Sequence, residues 1–273
     1  MSTSAVSTSV QTGSSGASAA ARATGRLFLV PAPLDFGCDE QAPLQDVVPA
    51  GTLLAASALR YWICENAKST RAYLKRVHAV QALSSEIQAL HIEELPRAVH
   101  KKGDHHGEFD ARPMLQPALA GHDIGLVSEA GMPAVADPGS SVVRAAHDLG
   151  LTVIPLVGPV SLLLGLAASG LNGQNFAFVG YLPQEPGARA KRVRELEALC
   201  LRDGQTQLFI ETPYRNAAMM QTLLQTLAPS TRLAVSSGLT LASAQSFSAT
   251  VRDWRNQRKG PDNATPAVFA IGR

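Results

Sequence analysis

The sequence predicts an α/β protein of two α/β domains, and three observations carry that prediction. Residues 124–127, Ile-Gly-Leu-Val, are a short apolar run with β-branched ends, as a buried strand requires. A polar loop punctuated by glycine and proline follows over 128–139, and then a helix whose Val142, Val143, Ala146 and Leu149 share one apolar face. Ser140 or Ser141 supplies its N-cap and Gly150 its left-handed end. A second apolar run, 151–157, ends at Gly158-Pro159. Two buried parallel strands joined by a helix bring their loops to one sheet edge, where ligands of open α/β sheets bind. The second observation is size, since 273 residues at 45% hydrophobic content suffice for two ordinary cores. The third is a hinge-like break at 171–173, Leu-Asn-Gly, after which a new series of strand runs begins.

From the N-terminus, residues 1–25 are a Ser, Thr, Ala and Gly tract with Arg22 as its one charge. It reads as a disordered tail, without the hydrophobic segment of a secretory signal. Residues 27–30 form the first strand and stop at Pro31-Ala32-Pro33. A strand, or the helix before one, falls within 52–64. From Glu65 to Lys75 a helix sets Lys68, Arg71 and Lys75 at i, i+3 and i+7 as a cationic stripe. The plain reading of such a stripe is a solvated face. Beside a cleft it holds a phosphate chain, and Glu65 then accepts a proton or orients the nucleophile. Residues 84–91 read as helical. The polar loop 101–108 contains His105 and His106 between Asp104 and Glu108, but adjacent histidines point apart and no second cluster answers them, so no metal is assigned.

Residues 160–169 are apolar nearly all round, the mark of a fully buried helix, closed by Gly170. Strand runs follow at 176–179, 207–210, 231–236 and 267–271. Between the first two lies a basic helix with Arg189, Lys191, Arg192 and Arg194, diluted by Glu195 and Glu197. Thr212-Pro213 reads as a helix start, and Met219-Met220 as core packing. No apolar run reaches the length of a membrane span. A net charge of +2 permits an RNA partner without requiring one. Cys38, Cys64 and Cys200 are widely spaced and odd in number, which suggests neither a disulfide framework nor a zinc site. A soluble, cytoplasmic protein is expected.

The loop 128–139 has the parts of a ligand site. Gly131 and Gly139 let backbone approach a ligand, Pro133 and Pro138 stiffen the loop, and Ser128, Glu129 and Asp137 pair with hydroxyls, amines or positive charge. On chemistry alone the same string serves equally as a long surface turn that satisfies its own backbone.

Ser128-Glu129-Ala130-Gly131-Met132-Pro133, followed by Ala136-Asp137-Pro138-Gly139, resembles the SDAGTPxxSDPG loop that binds S-adenosylmethionine in the tetrapyrrole-methylase-like superfamily. The resemblance is strongest to its small-subunit ribosomal-RNA ribose 2′-O-methyltransferases. Four further motifs keep the same order. Residues 155–161 resemble the PxxGPSA turn, 168–171 SASGL, 180–183 GFLP, and 211–215 ExPHR. The segment 65–75 is similar to AEDTRxTRxLL. The resemblance runs over residues 26–255 and is strongest over 124–216.

It implies an N-terminal domain, 26–172, on a mainly parallel sheet, a C-terminal domain, 173–273, on a mixed sheet, and a cofactor cleft between them. It implies S-adenosylmethionine as cofactor, held by Ser128, Glu129, Ala130, Gly131, Pro133, Asp137, Gly158, Pro159 and Ser161. Tyr181, Leu182, Thr212 and Pro213 contribute from the second domain. Glu65, Arg71 and Asp35 become the candidate catalytic or acceptor-side residues, with Arg215 a structural ion-pair partner instead. The implied chemistry is direct methyl transfer without a metal or covalent intermediate. The implied partners are RNA of the small ribosomal subunit and a second copy of the chain.

Two stretches depart from the pattern. Where the ribose methyltransferases carry ATPIGNLxD, residues 31–37 read Pro-Ala-Pro-Leu-Asp-Phe-Gly and lack the GNL. Where they carry ELTKxxEE, residues 238–245 read Gly-Leu-Thr-Leu-Ala-Ser-Ala-Gln, without the lysine or the paired acids. The GxGPGDxxLLT-like loop of the precorrin and uroporphyrinogen branch is absent, which counts against a tetrapyrrole substrate. These departures keep two other readings open, a methyltransferase acting on a small molecule and a cofactor- or RNA-binding module without turnover.

Overall fold

Short apolar runs that alternate with helices build two five-stranded sheets in the computed structural model, which describes residues 23–102, 109–257 and 260–273. Most of the N-terminal tail, and the His105-His106 loop considered as a metal site, lie outside the described residues.

The first sheet comprises β1 (Arg26–Leu29), β2 (Tyr61–Cys64), β3 (His91–Glu94), β4 (Ile124–Val127) and β5 (Thr152–Pro155). They run in the order β3-β2-β4-β1-β5, all parallel. Strand alternation sends neighbouring residues to opposite faces. Phe28 and Trp62 pack with Leu44 of α1 (Leu44–Val47), Leu53 of α2 (Ala50–Ala58), and Leu74 and Val77 of α3 (Ala67–Val80). Leu27 and Ile63 pack on the other side with Ala118 of α5 (Gln116–Leu119) and with Val142 and Ala146 of α6 (Ser140–Asp148). The short α4 (Arg97–Lys102) follows β3. Gly125 sits in the all-buried β4 because a Cβ there would meet the Trp62 ring at 2.7 Å.

The chain leaves β1 for β2 across β4, and leaves β4 for β5 across β1. Their outgoing loops therefore part at a topological switch point, where open parallel sheets leave a crevice. Ala32 and Gly131 join the two loops there by exchanging backbone hydrogen bonds of 2.9 and 3.0 Å.

The second sheet comprises β6 (Phe176–Tyr181), β7 (Thr206–Glu211), β8 (Arg232–Ser237), β9 (Gln245–Thr250) and β10 (Ala267–Gly272). Its order is β6-β7-β10-β8-β9, with β6 and β7 parallel and the rest antiparallel, so the sheet is mixed. Val193 and Leu196 of α8 (Pro186–Asp203), Met219 and Leu223 of α9 (Asn216–Thr226) and Trp254 of α10 (Val251–Arg255) cover one face around Phe209 and Phe269. The other face takes α7 (Ser161–Ser169), whose Leu162 and Leu166 pack on Leu208, Ala234, Val268 and Ala270.

Several sequence expectations need correction. The helix at 160–169 is not fully buried, since Leu163 is 50% and Leu164 40% exposed on the face opposite the sheet. Residues 84–91 hold one 3-10 turn, Ile87–Ala89, and then enter β3. Ser140 is the first residue of α6 rather than its cap, and Gly139, at φ +134°, precedes it with no side-chain cap. By contrast, Thr212-Pro213 is a helix start as expected, Thr212 standing as N-cap of a 3-10 turn, Pro213–Arg215, that leads into α9. Arg189 is buried, donating to Thr222, and so leaves the basic face of α8.

Candidate functional site

The loops after β1, β4 and β5 meet those of the second sheet around a cleft of about 400 Å³. Ala130, Gly131 and Asp137 line it from the long loop, Ser161 from the start of α7, and Tyr181, Thr212 and Pro213 from the second sheet. Gly131 has φ +72°, a left-handed conformation natural to glycine. Gly158 is fixed for another reason, because a Cβ there would lie 2.2 Å from Pro31 Cγ, so only glycine lets the two loops close up.

A second pocket of about 250 Å³ adjoins the cleft, and Phe36 and Gly37 line both. Ser128 and Glu129 face this second pocket together with Asp35 and the Ser69, Thr70, Tyr73 and Arg76 face of α3. Asn66 caps α3, accepting from the amides of Lys68 and Ser69, and so fixes that face. The Asp35 carboxylate is buried and grips Arg76 in a two-pronged ion pair of 2.8 and 2.9 Å, while also accepting from the Ala42 amide.

Three carboxylates gather on the first-domain side, Asp137 lining the cleft, Glu129 the second pocket and Glu65 neither. Glu65 Oε2 accepts from the Glu129 amide at 3.3 Å. Burial, then the charges of Glu65 and Glu129, raise the Asp137 carboxyl to about 7. Across the cleft, partial desolvation and then Asp137, Glu211 and Glu65 raise the Tyr181 phenol, with Arg215 opposing them. Glu211 Oε1 accepts from Arg215 at 2.6 Å and from the Thr212 amide at 2.7 Å. Its Oε2 is buried without a partner.

Other expected residues fall elsewhere. Arg71 lies on the exposed side of α3, its guanidinium turned to the carbonyl of Ala67 in its own helix, and Lys68 and Lys75 are exposed beside it. Leu182 is buried in the second domain's core with Val193 and Phe209. Pro133 and Pro159 are buried, and neither is among the residues lining the two pockets. Arg215 makes the structural ion pair expected of it, and Met219 and Met220 lie in the core. Sequence reading missed Arg76, although Ser69, Tyr73 and Arg76 share a helix face at i, i+4 and i+7. It also missed the walls at Phe36, Leu239, Pro266 and Val268, which come from distant loops and strands. Among the described residues no group of three or more His, Cys, Asp or Glu is arranged to hold a metal, and no helix is long and apolar enough to cross a membrane.

A family model described as Tetrapyrrole (Corrin/Porphyrin) Methylases matches residues 46–254. Ribosomal RNA small subunit methyltransferase I of Escherichia coli O157:H7 is 27% identical over 243 residues, covering 86% of this chain and 75% of that protein. Proteins of the same name from Mesorhizobium japonicum and Xylella fastidiosa are 35% and 37% identical over 148 and 131 residues. Those two alignments cover 54% and 48% of this chain and 49% and 46% of the relatives, so they span about half of each. Among solved structures, the methyltransferase CobJ superposes with a TM-score of 0.54 at 17% identity, covering 92% of this chain and 95% of that one. A uroporphyrin-III-C-methyltransferase from Thermus thermophilus gives 0.50 at 16%, covering 91% and 94%. At such identities the likeness is one of fold.

Proposed function

We infer the function from one premise: the chain belongs to the tetrapyrrole methylase family and is a methyltransferase. S-adenosylmethionine is proposed as its methyl donor, RNA of the small ribosomal subunit as its acceptor, and a ribose hydroxyl as the group methylated. The observation that carries the donor is the cleft itself. Its apolar walls, Leu34, Met132 and Val160 among them, suit an adenosine, and its Gly131 backbone admits close approach. Asp137, flanked by Glu65 and Glu129, suits a sulfonium or ammonium cation, and the unpartnered Glu211 Oε2 suits a hydroxyl or ammonium donor. The relatives' shared name supports the RNA acceptor, and the exposed Lys68, Arg71 and Lys75 stripe supports contact with phosphates.

When bound, the cofactor supplies an electrophilic methyl group. The chain's own work is then to hold the acceptor oxygen in line and exclude water. Glu65 and Asp137 are the carboxylates free to take the hydroxyl proton, because both oxygens of Asp35 are taken up by Arg76. Asp35 on this reading orients Arg76 toward the acceptor. The exposed Leu163 and Leu164 on α7 serve a second copy of the chain. Action on ribosomal RNA supports a cytoplasmic protein.

Transfer of labelled methyl from S-adenosylmethionine to purified small ribosomal subunits tests the proposal. Label in RNA that survives protease and resists alkaline cleavage at one ribose supports it, and label confined to protein or to a small-molecule filtrate refutes it.

A further inference from the structure

The two stretches that depart from the family pattern, 31–37 and 238–245, lie far apart in sequence but line one cleft, and the strap that continues the first is tied to the second. Glu40, in the strap between β1 and α1, accepts a 2.8 Å hydrogen bond from the Ala242 amide and a 2.7 Å bond from the Ser243 hydroxyl. The partners are 202 and 203 residues away, in the turn between β8 and β9. Those two donors, the Ser243 hydroxyl first, hold the Glu40 carboxyl below the usual range. Both stretches face the cleft, the strap through Leu34, Phe36 and Gly37 and the turn through Gly238 and Leu239. The turn is also strained. Thr240 has φ +74°, a left-handed conformation that side chains disfavour, and its hydroxyl oxygen is buried without a partner.

We propose that Glu40 is a positioning residue, a latch between the two domains that keeps the strap closed on the turn and holds Phe36 as the shared wall of the cleft and the Arg76 pocket. The charged carboxylate takes both donors from one strained turn, so the turn's geometry and the strap's position are set together. Cofactor held in the cleft leaves only when the strap and turn part, and the acceptor meets a Phe36 ring fixed rather than swinging. The role in cofactor release and acceptor binding rests on the proposed function, whereas the latch itself does not.

Full-length Glu40→Ala, Glu40→Gln, Ser243→Ala and the Glu40→Ala/Ser243→Ala double variant test the proposal by two readouts. Amide hydrogen exchange of the unliganded protein should show Ala242 exchanging about tenfold faster in Glu40→Ala, the loss of one charge-assisted bond. Glu40→Gln, whose amide oxygen still accepts, should restore most of the protection. Chase of labelled S-adenosylmethionine should show release about tenfold faster in Glu40→Ala, and the double variant should be no faster. The KM for the ribosomal subunit should rise while kcat holds. Unchanged exchange at Ala242 overturns the latch, and so does faster exchange with an unchanged release rate or with additive effects in the double variant. If no form binds the cofactor, the functional reading fails, and exchange at Ala242 still decides the latch.

Discussion

Burial and the charges of Glu65 and Glu129 raise the Asp137 carboxyl to about 7, so the folded protein keeps a proton that an unfolded aspartate gives up near pH 4. That proton favours the folded state fully below about pH 4, and the benefit is lost as the pH climbs through about 7. Unliganded Asp137→Asn should therefore lose less stability than the unmodified protein between pH 4 and pH 8, with a melting temperature a few degrees higher at pH 8. A cationic ligand prefers the ionised form, so affinity for S-adenosylmethionine should rise from pH 6 to pH 8 in the unmodified protein and flatten in the variant. A titration by calorimetry checks both. Glu211 makes the contrasting case, a fully buried carboxylate held by Arg215. Arg215→Met strands that charge and should cost about 3 kcal/mol of unfolding free energy, read from the urea midpoint at unchanged slope.

Among the elements, α3 joins two roles on two faces. Its exposed cations, Lys68, Arg71 and Lys75, point away from the pocket that Ser69, Tyr73 and Arg76 line. Arg76→Ala should raise the KM for the RNA acceptor about tenfold, whereas Arg71→Ala should act mainly by lowering the salt dependence of RNA binding. Gly158→Ala drives a Cβ against Pro31 and should weaken cofactor binding, with a stability loss of about 2 kcal/mol that equilibrium unfolding would record. The sequence made β1, β4 and β5 legible because all three are apolar runs, but it took β5 for a buried strand, whereas β5 is the sheet's edge, with Thr152 and Pro155 exposed and Val153 and Ile154 half-buried. It hid β3 and β9 because both are edge strands, mostly exposed and polar, with no apolar pattern to find. The helix α7 misled for the opposite reason. Its apolar residues surround it, yet only Leu162, Gly165, Leu166 and Ser169 are buried against the sheet, and an all-apolar helix does not say which side is covered. In the site, the loop 128–139 could be read because its glycines and acids are contiguous. Arg76, Leu239 and Pro266 could not, since folding alone brings them to the cleft.

For the whole molecule, the placement of the cleft follows from topology. A switch point between β1 and β4 opens the first sheet's loops, and the mixed second sheet closes over them with Tyr181, Glu211 and Thr212. The half-exposed leucines of α7 are the proposed contact with a second copy of the chain. Leu163→Glu with Leu164→Glu should convert a sedimenting dimer to a monomer while the far-ultraviolet spectrum stays the same, and a protein already monomeric without the changes would remove the proposed interface. The proposed reading is that this cleft serves methyl transfer to RNA. Its most direct test is incubation of the purified protein with labelled S-adenosylmethionine and small ribosomal subunits, followed by mapping of the label. One methylated ribose is expected in the RNA, lost in Gly131→Val, which would fill the space beside Leu34 and Pro159. Label absent from the RNA, with the cofactor bound, would contradict it.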